Sequence, residues 1–68
     1  MVGLPRNVVV NVTTASDDGE DETYGYRARL LRIEGTHGLC ERRAGSDLPT
    51  GLYPIEDIFD AKTKERVD

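Results

Sequence analysis

The chain has one histidine and one cysteine, three positions apart in His37-Gly38-Leu39-Cys40. A thiol beside an imidazole can act as a nucleophile pair, and the same side chains are zinc ligands. Both chemistries need more than two residues. A structural zinc site takes four nitrogen or sulfur ligands, and no other histidine or cysteine is present. A nucleophile needs a pocket, yet a chain of 68 residues buries only roughly 60% of the surface it exposes when unfolded. His37 therefore reads as a solvated turn residue and Cys40 as a small, partly buried apolar one. No metal or other cofactor is expected. Acids are plentiful, but nothing in their setting fixes a pair or raises a pKa. No phosphate loop, dinucleotide fingerprint or H-E-x-x-H motif occurs. The expectation is a protein that is not an enzyme.

The other chemistry available is recognition. Arg27, Arg29, Arg32, Arg42 and Arg43 face only Glu34 and Glu41 across residues 23–43, so the middle of the chain is locally cationic. Asp17, Asp18, Glu20, Asp21 and Glu22 crowd together with no base among them. The formal net charge is −4. An overall negative sign disfavours a general nucleic-acid binder, which carries a basic excess to displace phosphate counterions. Arginine and tyrosine are the types enriched at interface hot spots. In stacking on bases, Tyr24 and Tyr26 could instead serve an RNA or DNA site, or they could simply fill the core.

These side chains are positioned by short strands. Residues 7–14, NVVVNVTT, have the β-branched content of a strand, with Val8, Val10 and Val12 on one face and Val9 on the other. Residues 15–22, ASDDGEDE, hold no large apolar side chain and are expected to form a mobile acidic hairpin loop. Then TYGYRARLLRIEG alternates: Tyr24, Tyr26, Ala28 and Leu30 on one face, Arg27 and Arg29 on the other. After Leu30 the apolar residues move to odd positions, Leu31 and Ile33. A one-residue shift is the mark of a β-bulge, favoured here over a short helix spanning residues 27–34. Gly35 and Gly38 bracket a turn, and LCERR returns with Leu39 and Glu41 opposite in sense to Cys40 and Arg42. A hairpin centred near Thr36 and His37 would set Arg32 across from Cys40 or Glu41, and Arg29 close to Arg43 or Ala44. Such crowding of like charge would favour a neutralising ligand.

AGSDLPTG breaks the chain again. GLYPI suits an edge strand because of Pro54, and Ile55, Ile58 and Phe59 have the spacing of a single helical turn. IFDAKTKERV reads as a terminal hairpin with Val67 on the return. In its three-residue form, Lys64 would occupy a position that prefers glycine.

The fold class expected from this pattern is mainly β: a small, highly curved antiparallel sheet, or an SH3-like or Sm-like barrel, of about five short strands, with at most a single helical turn near residues 55–59. The whole chain, 1–68, makes one small β domain. Its start lacks the charge and apolar pattern of a signal peptide, no segment reaches the length of a membrane span, and a lone cysteine suits a reducing compartment. The expected object is a cytoplasmic interaction domain or regulator. Its Arg-rich central hairpin and acidic loop would bind a larger protein, with a homodimer as a possible state. The alternatives are a small-barrel binder of single-stranded RNA or DNA, and a structural domain without a discrete site.

Overall fold

The computed structural model describes residues 3–67. Its strands are β1 (Arg6–Ala15), β2 (Asp21–Glu34), β3 (His37–Arg42), β4 (Gly51–Pro54) and β5 (Ile58–Asp60), with a 3₁₀ turn at Ile55–Asp57. All pair antiparallel in one sheet of order β4-β3-β2-β1-β5. Consecutive hairpins account for the first three pairings. The fourth is long-range, since β5 returns to the far side of β1. No ladder joins β4 to β5 among the described residues, so the sheet is open. The mainly β expectation therefore holds, including the edge strand at Gly51–Pro54 and the single turn after it.

Alternation determines which face is buried. Val8 and Val10 on β1, Ala28 and Leu30 on β2, Cys40 on β3 and Ile58 on β5 all point to one side and are fully buried. Leu48, Ile55 and Val67 cover that side from the two connecting segments and the C-terminal return, and Val12, Tyr26 and Tyr53 pack around the margin. Cys40 is fully buried, more than its partly buried expectation. The 43–50 segment is held down by side-chain bonds. Arg42 donates Nε–H to the carbonyl of Ser46 at 2.9 Å and its amide to Thr50 Oγ1 at 2.9 Å.

The β2–β3 hairpin carries the expected bulge. Leu30 pairs with Cys40 and Arg32 with Leu39, leaving Leu31 as the extra residue. Ile33 then shares the inner side with its partner Gly38. The turn, however, is only Gly35-Thr36, with Gly35 at φ +63°. A glycine with positive φ followed by an ordinary residue is the II′ pattern that suits a two-residue hairpin. This centre differs from the expected one and the bulge removes a further residue. Arg29 consequently lies opposite Glu41, not near Arg43 or Ala44, and Arg32 opposite Leu39, not Cys40 or Glu41.

The acidic stretch is also shorter as a loop than its composition implies. Ala15 pairs with Asp21 and Thr14 with Glu22, so only residues 16–20 turn. Their geometry is fixed by hydrogen bonds: the Ser16 amide donates to the Glu20 carbonyl at 3.0 Å, and the Ser16 hydroxyl to the Asp18 carboxylate. That bond, with the Glu20 amide, holds the Asp18 carboxyl below its ordinary range.

The terminal hairpin forms with a four-residue turn, and Lys64 adopts φ +65°. Asp60 organises it, accepting amides of Lys62 at 2.7 Å and Thr63 at 3.0 Å and pairing with Arg6. The Thr63 and Lys62 amides, aided by Arg6, hold the buried Asp60 carboxyl below its ordinary range.

Two substitutions should move stability in opposite directions. A methyl on Gly38 would stand 2.7 Å from Leu30 Cδ1 and 2.9 Å from Ile58 Cδ1, both fully buried with nowhere to retreat. Gly38→Ala is expected to destabilise by about 1–3 kcal/mol. Lys64→Gly relieves a left-handed backbone and should stabilise by about 1 kcal/mol. Thermal unfolding followed by circular dichroism measures both, at about 4–8 °C per kcal/mol for a domain of this size.

Candidate interaction surface

The five arginines do not share a face. Arg27 and Arg29 alternate with buried Ala28 and Leu30, and therefore project from the uncovered outer side of the sheet. Arg32 joins them, because the bulge puts it opposite outward-facing Leu39. Arg42 pairs with Ala28 on the inner side and is engaged with the 43–50 segment. Arg43 follows β3, half-buried, at the start of that segment.

On the outer face Arg29 stands across from Glu41, and Arg32 Nε bonds Glu34 Oε2 at 3.2 Å. Both Arg32 and Glu34 are well exposed, so this pair contributes little to stability. Arg27 has no ion-pair partner among the described residues. Beside the arginines lies an apolar row. Arg32, Leu39 and Leu52 are successive cross-strand neighbours on β2, β3 and β4, and Leu52 is 52% exposed. Leu52 was not singled out from the sequence. Its signal was its place on an edge strand, opposite in sense to the half-buried Tyr53.

The tyrosines lie on the other side. Tyr26 pairs with Val10 and packs against the core, while Tyr24 pairs with Val12 and is 47% exposed. The Tyr24 hydroxyl donates to the Glu22 carboxylate, which holds it above the ordinary phenol range. Both rings thus project from the face opposite to Arg27, Arg29 and Arg32.

Asp17, Asp18 and Glu20 occupy the β1–β2 turn, with Asp21 and Glu22 on the first residues of β2. This end projects. β5 accompanies β1 only as far as Val10, and β3 accompanies β2 only from Ala28 onward. Beyond those points β1 and β2 form a two-stranded arm, consistent with molecular extents of 41 × 24 × 22 Å.

His37 and Cys40 do not converge. They are of opposite sense on β3: His37 is exposed, its Nδ1 3.0 Å from Thr36 Oγ1, whereas Cys40 is sealed in the core. Burial pushes the Cys40 thiol up to about 11. His37 lines a shallow groove of about 570 Å³ together with Ile33, Pro54, Ile55 and Glu56. Among the described residues no three metal-ligating side chains gather, and no helix is long and apolar enough to cross a membrane.

No protein-family model matches the chain, and neither a curated protein nor a solved structure shows significant similarity to it.

The buried thiol gives a direct check. With its pKa near 11 rather than the usual 9.0, the native protein holds about a hundredfold less thiolate at pH 8. Labelling by a small maleimide should be slower than in denaturant by at least that factor. Equal rates would show that Cys40 is open to solvent.

Proposed function

We propose that this protein is a small, non-catalytic interaction domain that binds a larger protein on the outer face of β2, β3 and β4. The observation that carries the reading is the combination on that face of Arg27, Arg29 and Arg32 with the apolar row ending at Leu52, while Leu48, Ile55 and Val67 from the later segments pack on the opposite side. Arginine next to exposed leucine is the chemistry of a protein interface: the guanidinium supplies directional hydrogen bonds and its stem adds to the apolar contact. The acidic turn on the projecting arm offers a second contact of opposite charge to a partner large enough to span both.

The reading extends to the fold and the compartment. The strand order, with its two edge strands linked by one 3₁₀ turn, favours an SH3-like barrel whose edges approach without pairing. A lone buried thiol fits the cytoplasm. Single-stranded RNA or DNA is the weaker alternative, since its arginines and stacking tyrosines lie on opposite sides of the sheet and the net charge is −4.

The test pairs two measurements. An amide NMR titration with a short mixed-sequence single-stranded RNA at low and moderate salt should leave the Arg27, Arg29 and Arg32 amides in place. A partner recovered in stoichiometric amount by the native protein should be lost by more than about tenfold on Leu52→Asp or Arg29→Glu, and retained on Lys62→Ala in the exposed terminal turn. Salt-sensitive RNA shifts over β2 and β3, with capture indifferent to Leu52, would overturn the proposal in favour of nucleic acid.

A further inference from the structure

Strand pairing brings into line four residues that lie far apart in the chain. Val9 of β1 pairs with Arg27 of β2 on one side and with Phe59 of β5 on the other, and Phe59 in turn bridges Arg66 on the C-terminal return. All four point away from the core. Their sequence neighbours Val8, Val10, Ala28, Ile58 and Val67 are the ones buried on the inner side. The outer face of β1 and β5 thus carries the row Arg27, Val9, Phe59, Arg66, two apolar side chains between two cations.

Val9 and Phe59 are half-buried, whereas Arg27 and Arg66 are exposed. With Asn11 and Lys64, the two apolar residues line a shallow depression of about 230 Å³. Gly25, opposite Asn11, leaves the β2 flank of this depression without a roof, since a methyl there would stand 3.0 Å from Val9 Cγ1. Arg27, Lys64 and Arg66 form no ion pair among the described residues, and no carboxylate lines the depression.

We propose that this row binds an extended segment of another protein with the pattern acid-x-apolar-x-acid, laid across β2, β1 and β5. The spacing selects the pattern. Neighbouring strands lie about 4.8 Å apart, so Arg27 and Arg66, three strand spacings from each other, are separated by about 14 Å. An extended segment rises about 3.4 Å per residue and turns alternate side chains to one face, so its residues i, i+2 and i+4 span the same distance. The central side chain enters the depression over Val9 and Phe59. The two carboxylates meet the guanidinium groups at its ends, where charge-assisted bonds are strongest and the arginine stems extend the apolar contact. Single-stranded nucleic acid fits the row less well: Phe59 is the one aromatic side chain on this face among the described residues, and phosphates continuing past Arg29 and Arg32 would meet Glu41 and Glu34.

The row shares Arg27 with the surface proposed above but needs neither Leu39 nor Leu52, so either site can fail without the other.

The test is an amide NMR titration of the native chain with the capped peptide Glu-Ser-Leu-Ser-Glu. Shifts should fall on Val9, Asn11, Arg27, Phe59 and Arg66, with a dissociation constant of about 0.1–5 mM that weakens as salt rises. The capped peptides Lys-Ser-Leu-Ser-Lys and Glu-Ser-Ser-Ser-Glu should each bind at least about fivefold more weakly. Arg66→Glu, at an exposed position, should weaken the acidic peptide by about fivefold or more and gain affinity for Lys-Ser-Leu-Ser-Glu, an exchange that a merely structural Arg66 would not produce. The proposal would be overturned by an unchanged spectrum at about 10 mM peptide, by equal affinity for the lysine peptide, or by a single-stranded RNA that moves the Phe59 and Arg66 amides when the peptide does not. Shifts confined to β3 and β4 would overturn it as well, while leaving the surface at Leu52 standing.

Discussion

The molecule depends on the bulge at Leu31. β2 is the central strand, pairing with β1 along its length and with β3 along its second half. A chain of this size can bury one face only, and β2 must keep apolar side chains on that face past the point where its sequence alternation reverses. One unpaired residue lets Leu30 enter the core and turns Ile33, itself 44% exposed, to the same side of the sheet, at the cost of a locally disrupted ladder. The same step carries Arg32 outward and adds local bend to the strand. Gly38 completes the arrangement: with no side chain of its own it admits the ends of Leu30 and Ile58, which close the core between β3 and β5.

That single covered face explains how the charged residues are distributed. The inner side is taken by Leu48, Ile55 and Val67, all delivered by segments outside the main hairpins. What remains for recognition is the outer face and the arm. Opposite parity on β2 then separates the two residue types from which a nucleic-acid site would have to be built. Arginines occupy the uncovered face, and the tyrosines fall on the core side, one against the core and one at its margin. The nearest acids, Glu34 and Glu41, take up part of the cationic field at exposed positions where such pairs are weak.

Two parts of the chain are held in shape by polar contacts instead of apolar ones. The acidic turn folds around Ser16 and Asp18, and the terminal turn around Asp60, each carboxylate accepting local amides. The terminal turn matters more to the fold. It brings residues 65–67 back beside β5 and so delivers Val67 to the core, even though Lys64 must take a left-handed backbone to do it.

The amino-acid sequence by itself determined the strand segments apart from their ends at the acidic turn, the alternation of side chains along β1 and β2, the shift after Leu30 that marks the bulge, and that Lys64 would sit in a position suited to glycine. These follow from the two-residue period of extended backbone and from local turn chemistry, both of which act over a few residues. The tertiary structure alone decided the register of β2 against β3, the extent of the acidic turn and the return of β5 to β1. Arg29 meets Glu41 because a two-residue II′ turn and one bulged residue together fix the pairing, and an offset of a single residue at the turn changes every partner beyond it. Ala15, Asp21 and Glu22 read as loop from their composition, yet they extend the ladder because backbone hydrogen bonds do not depend on the side chains they carry. Leu52 became part of a surface only when β4 was laid beside β3, since the neighbours of an edge strand are fixed by pairing that no local stretch encodes.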